Sequence, residues 1–141
     1  MSWPASERAR VLVVDDHAIN LRLTRRLLEF DGYATHTVDN GAAALAAAAE
    51  LQPDLILADV FLPDMDGHTL VHHLHADPAT SDLRVVAFTA AAMESDREAA
   101  LEAGFDDYLA KPVNAQAFGR FIARQLDDGP SASPDSLRAV G

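Results

Sequence analysis

The chain has no cysteine in its 141 residues. That excludes a disulfide framework, thiolate chemistry and any cysteine-based zinc site. Basic residues are scarce: 11 Lys and Arg stand against 22 Asp and Glu, for a formal charge of −11. Nucleic-acid binding needs clustered cations along the phosphate backbone, so neither DNA nor RNA is expected as a direct partner. No apolar run approaches the length needed to cross a bilayer, and the opening MSWPASERAR lacks a signal peptide's apolar core. No membrane association and a cytoplasmic location are therefore expected. A GxxxxGK[ST] loop is also missing, which excludes a P-loop enzyme. No internal repeat and no second domain are visible.

What is there reads as one ordinary globular domain, with 49% apolar and 23% charged residues. Val11–Val14 and Leu55–Ala58 are continuous apolar runs, as in strands buried on both faces. Tyr33–Val38 alternates and reads as a strand near a sheet edge, while Arg84–Phe88 and the short Asp107–Ala110 supply two more strands. Between them lie helical stretches at His17–Asp31, Gly41–Leu51, Gly67–Ala76, Glu94–Ala103 and Asn114–Leu126. Gly32 and Gly104 stop the first and fourth, Asn40 can cap the second, and Pro53 marks its end. Residues 1–9 are expected to be loose, 10–126 to form the domain, and DDGPSASPDSLRAVG over 127–141 to be a flexible tail. Five β–α units with parallel pairing give a three-layer α/β/α sandwich.

Polar residues recur where the apolar runs end. Asp15 and Asp16 follow VLVV, Asp59 follows LILA, Thr89 follows VVAF, and Lys111 follows DYLA. Open parallel sheets bind ligands outside the carboxyl ends of their strands, so these positions converge on one patch. Three carboxylates held together repel: a pair about 5 Å apart does so by roughly 3 kcal/mol at an effective dielectric of about 20. A divalent ion removes that repulsion, and magnesium, which keeps several waters, needs only one or two protein carboxylates. Cation, ammonium and hydroxyl are the charge-neutralising parts of phosphoryl transfer, and one carboxylate can be the nucleophile, giving an aspartyl phosphate.

The stretches VLVVDDHAIN, LILADVFLPDMDG, AFTAAAM and GFDDYLAKPV, in this order and spacing, resemble the receiver domain of two-component response regulators over about residues 10–126. The last stretch is close to the form common in hybrid-kinase and single-domain receivers. The resemblance implies a flavodoxin-like five-stranded parallel sheet of order 2-1-3-4-5. It makes Asp59 the phosphoacceptor and assigns magnesium to Asp16 directly, to Asp15 through water, to Asp59 and to the Phe61 backbone carbonyl. Thr89 and Lys111 would bind phosphoryl oxygens, the Lys111–Pro112 peptide would be cis, and Tyr108 would be an aromatic switch moving inward as Thr89 swings toward the phosphate. His17 departs from common usage, since Asn, Glu or Phe is frequent after the acidic pair.

The implied partners are a histidine kinase or histidine phosphotransfer protein and a downstream protein target. The start and tail favour a stand-alone protein over a segment of a hybrid kinase. A non-phosphorylated pseudo-receiver is the other alternative, and every acidic ligand being present counts against it. An aspartyl-phosphate phosphatase usually needs a second acid two residues after its nucleophile, where this chain has Phe61. A signalling domain with only intrinsic autophosphorylation and autodephosphorylation is therefore expected, not an enzyme.

His68, His72, His73 and His75 share one short helix, and the first two have a spacing that can bind zinc. No Cys or well-placed Glu joins them, so they read as a solvated face, and Gly67 and Gly104 read as backbone punctuation. On the first helix Leu21 and Leu28 share a face, while Ile19, Leu23, Leu27 and Phe30 lie nearly opposite at about 100° per residue. One broad stripe is all that such a helix can bury on the sheet. Ile19 and Leu23 are therefore expected to stay exposed as the docking surface for the phosphodonor, and burial of both stripes is the alternative.

Overall fold

The computed structural model describes residues 9–89, 94–111 and 114–127. Among these, strands and helices alternate as β1 (Arg10–Val14), α1 (Ala18–Phe30), β2 (Ala34–Val38), α2 (Gly41–Leu51), β3 (Leu55–Ala58), α3 (Gly67–Ala76), β4 (Val85–Thr89), α4 (Glu94–Ala103), β5 (Asp107–Ala110) and α5 (Ala115–Asp127). Every strand pair is parallel and the sheet order is β2-β1-β3-β4-β5, as expected for the flavodoxin-like sandwich. The stretches read as a loose start and a flexible tail, apart from Ala9 and Asp127, lie outside the described residues, as does the Lys111–Pro112 peptide.

The unbroken apolar runs make sense because the sheet is covered twice. Leu12, Val14, Ile56, Ala58, Val85 and Ala87 pack under α2, α3 and α4, against Ala44, Ala47, Leu70, Leu74 and Ala100. Their alternate neighbours Val11, Val13, Leu55, Leu57, Val86 and Phe88 face the other way, onto Leu28 of α1 and Phe118, Phe121 and Ile122 of α5. β2 is an edge strand, and its last three residues are only half-buried.

Small shifts from the expected boundaries have local causes. β2 starts at Ala34 because the Tyr33 amide donates instead to the Leu28 carbonyl, at 3.1 Å, closing α1. Gly32 makes that turn possible with a φ of 90°. β4 runs one residue past Phe88, because Thr89 pairs with Ala110 and its carbonyl accepts from the Lys111 amide at 2.8 Å. Thr89 is thus the last residue of a strand, not the first of a loop. His17 is the N-cap of α1 and makes no capping bond with its side chain, whereas Asn40 caps α2 by accepting from the Ala43 amide at 2.8 Å.

Candidate functional site

β1 ends at Val14 beside Ala58, the last residue of β3. The next residue of each strand is an aspartate held by one more rung of the ladder. The Asp59 amide donates to the Val14 carbonyl at 2.9 Å, and the Asp15 amide to the Val38 carbonyl at 3.2 Å. Each carboxylate then turns back on its own chain. Asp15 Oδ1 accepts from the His17 amide at 2.9 Å, and Asp59 Oδ1 accepts from the Phe61 amide at 3.0 Å. This Asx turn takes one lone pair of Oδ1, keeping the other for a further partner, and leaves Oδ2 of both residues facing a common centre.

Lys111, the only lysine of the chain, enters that centre from the end of β5. Its Nζ lies 3.3 Å from Asp59 Oδ2 and makes an even closer contact with Asp15 Oδ2. The same ammonium sits 5.0 Å from the Phe88 ring centroid, a favourable cation–π placement. Asp15 and Asp59 are buried, while Asp16 stands at the rim. The His17 imidazole bridges the acidic pair, with Nδ1 3.2 Å from Asp15 Oδ1 and 3.1 Å from Asp16 Oδ1.

Two buried carboxylates share one ammonium, and a third stands at the rim beside them, so the cluster keeps an excess of negative charge. Buried charge of that kind is costly without a counter-ion. One ligand atom each from Asp15, Asp16, His17 and Asp59 lie within 4.8 Å of one another. The oxygens of this set suit a hard divalent cation such as magnesium. The four α3 histidines are exposed and form no such group among the described residues.

Thr89 closes β4 almost fully buried, and Tyr108 lies on the neighbouring strand opposite Ala87. The two share a cavity of about 200 Å³, which is also lined by Phe61, His68, Ala99 and Ala100. The Tyr108 hydroxyl oxygen is buried, and Phe61 stands exposed at the lip.

The loop after Asp59 carries two residues whose work sequence reasoning missed. Asp64 reaches α2, accepting from the Gly41 amide at 2.8 Å and the Ala42 amide at 2.9 Å. Asp66 caps α3, accepting from the Thr69 amide at 2.7 Å. Those backbone bonds hold both carboxyls below their ordinary value. The loop is thereby tied to two helix N-termini, which steadies Asp59 and Phe61. The only sequence signal was an aspartate in excess of what the turn PDMDG requires.

On α1, Leu28 is buried and Leu21 and Leu27 are partly covered, whereas Ile19, Leu23 and Phe30 are 80%, 58% and 90% exposed. Burial of the whole second stripe is therefore not what is seen. At its far end the stripe meets a groove of about 460 Å³ between α1 and α5, lined by Leu27, Phe30, Tyr33, Gly119 and Arg120. That groove is separate from the carboxylate site.

A family profile described as the response regulator receiver domain matches residues 11–122. Response regulator PleD of Caulobacter vibrioides is 44% identical over 106 residues, or 75% of this chain. The chain spans only 23% of the length of PleD. Polar-differentiation response regulator DivK of Brucella anthropi is 37% identical over 118 residues, covering 84% of this chain and 96% of DivK. Among solved structures, a putative response regulator from Chloroflexus aurantiacus superposes with a TM-score of 0.80 at 32% identity, over 85% of this chain and 98% of its own. The receiver domain of sensor histidine kinase PA1611 from Pseudomonas aeruginosa, with a magnesium ion coordinated in its active site cleft, gives 0.77 at 32% identity, over 84% and 97%.

Proposed function

The chain belongs to the response regulator receiver family, and on that footing we propose that it takes a phosphoryl group onto Asp59 from a phosphohistidine and signals by the resulting change of its surface. The convergence of Asp15, Asp59 and Lys111 at three strand ends is the observation that carries the reading. Receiver domains are signalling domains, not enzymes acting on a separate substrate, and any turnover would be the making and loss of this one bond.

Asp59 Oδ2 is the nucleophile. Its partner Oδ1 is held by the Phe61 amide, so the free oxygen is aimed before a donor arrives. In the transfer a bond forms between Oδ2 and phosphorus while the phosphorus–nitrogen bond of the donor breaks, and the imidazole leaves with its electron pair. Lys111 already lies beside Oδ2 and needs only a small movement to follow charge onto a phosphoryl oxygen, and the Thr89 hydroxyl donates to another. Magnesium held by Asp15, Asp16, Asp59 and the Phe61 carbonyl would neutralise the remaining charge. The donor would be a histidine kinase or a histidine phosphotransfer protein.

Readout would pass through the cavity shared by Thr89 and Tyr108. Movement of Thr89 toward the phosphoryl oxygen changes the space open to the Tyr108 ring, which biases a two-state surface formed by α4, β5 and α5. That surface is the site for a downstream protein. The extent of the match to DivK favours a role carried by the receiver alone.

Incubation with acetyl phosphate and magnesium should add one base-labile phosphate, seen by intact mass. Asp59→Asn should abolish it. Undiminished labelling of that variant would overturn the assignment. Beryllofluoride should shift amide resonances at Tyr108 and along α4, and changes confined to the Asp59 loop would refute the coupling.

A further inference from the structure

We infer that His17 is an additional ligand at this centre, and that it makes the site a chelator of borderline divalent ions such as Co2+, Ni2+ and Zn2+, beyond the magnesium that an all-oxygen set would take. The inference rests on the reading of Asp15, Asp16 and Asp59 as a metal site.

The imidazole is placed as a ligand would be. Two ligands sharing one ion at ~2.1 Å each, and set at right angles, are roughly 3 Å apart. His17 Nδ1 stands 3.1 Å from Asp16 Oδ1 and 3.2 Å from Asp15 Oδ1. Those are separations of neighbouring ligands about a shared centre, with Asp59 completing the group.

Among the described residues nothing else claims the ring. His17 is the N-cap of α1, yet its side chain makes no capping bond. The side chain is 68% exposed, so packing does not hold it over the carboxylates. Its own amide is fixed to Asp15 Oδ1, which anchors the Cα beside the site while leaving the ring able to turn.

The chemistry then discriminates between ions. Magnesium prefers oxygen and keeps its waters, so with that ion the ring has little reason to stay and can rotate into solvent. Imidazole is a good ligand for cobalt, nickel and zinc, and a nitrogen joined to three carboxylates raises affinity for those ions selectively. A cell exposed to such metals would then load the phosphoacceptor site with an ion other than magnesium. An attraction between the ring and two carboxylates in the metal-free protein explains the same distances without ligation, and the two accounts part on ion selectivity.

The test is calorimetric titration of the full chain with Co2+ and, separately, with Mg2+, for the unaltered protein, His17→Ala and Asp16→Asn. His17→Ala should weaken Co2+ binding roughly tenfold or more and change Mg2+ binding less than about twofold. Paramagnetic shifting of the His17 ring protons by Co2+ gives direct proof of ligation. Asp16→Asn guards against binding at the α3 histidines, because Co2+ affinity unchanged by this substitution comes from elsewhere and overturns the inference. Equal loss for both ions, or none for Co2+, in His17→Ala also overturns it. Failure of the underlying reading looks different, because Mg2+ affinity would then be indifferent to Asp16→Asn.

Discussion

Lys111 and Asp59 form an ion pair of 3.3 Å across two strand ends, and the same ammonium also holds Asp15. Lys111 thus sits among the carboxylates that a divalent ion would join, and each charge of the cluster has a predictable effect. Asp59→Asn removes one of three mutually repelling carboxylates, each pair costing roughly 3 kcal/mol at about 5 Å. Part of that gain is lost with the Lys111 contact. In chelator the variant should therefore melt a few degrees higher than the unaltered protein, by about 1 kcal/mol. Its extra stabilisation by magnesium should shrink. Lys111→Met should do the reverse. It should lower the metal-free Tm and raise magnesium affinity severalfold, because a positive charge no longer repels the ion. Thermal melts with and without magnesium check both signs.

Gly67 begins α3 directly against the loop that carries the acceptor. A Cβ there would come 2.7 Å from the Val60 Cα and 3.2 Å from the Phe105 ring, and the Gly67 amide already donates to the Val60 carbonyl at 2.7 Å. The clash is with backbone, so the loop must move. Gly67→Ala should cost about 1–3 kcal/mol, measured by denaturant unfolding. It should also weaken magnesium binding, because Val60 lies between Asp59 and Phe61. Unchanged binding would mean that the loop absorbs the shift without disturbing Asp59.

Acid sensitivity should have an identifiable source at the two helix caps. Bonds from the Gly41 and Ala42 amides lower the Asp64 carboxyl, and a bond from the Thr69 amide lowers Asp66, both from an ordinary value of 3.8. A depressed folded value means that the contribution is fully present above the ordinary value and is lost as the pH falls below it. Helix N-termini add to the preference for the charged form. Melting temperature should therefore drop below the ordinary aspartate range, and Asp64→Asn should flatten that drop. Amide exchange at Gly41 and Ala42 should speed up over the same range.

The strand ends were legible because parallel strands leave a period-free signature, an apolar run cut off by a polar residue. VLVV before Asp15 and LILA before Asp59 are cases in point. Boundaries set by pairing were less legible. Thr89 joined β4 only because Ala110 lies opposite, and no local feature of VVAFT states that. The bond from Asp64 to α2 was invisible for a similar reason, since its partners are Gly41 and Ala42 on another β–α unit. His17 was read as a neighbour of the metal, but its position over two carboxylates depends on a side-chain torsion that sequence does not encode.

An exposed apolar stripe runs along α1. Ile19, Leu23 and Phe30 fall within about 40° of one another on the helix, and all stand in solvent. Ile19 lies in the first turn of α1, two residues after His17, so a helix packed on the stripe brings its own side chains toward Asp59. Burying three large apolar residues would contribute several kcal/mol of association, at roughly 1.5–3 kcal/mol each before ordering costs. A phosphodonor docked here would present its phosphohistidine to the pocket. Ile19→Glu and Leu23→Glu should slow transfer from a cognate phosphohistidine protein tenfold or more, each substitution losing roughly 1.4 kcal/mol or above. Labelling by acetyl phosphate, which needs no docking, should stay the same. Phe30→Glu, at the distal end of α1, should have a smaller effect on transfer than either. Equal slowing with both donors would place the damage in the site itself, and no slowing with either would show that the donor docks on another face.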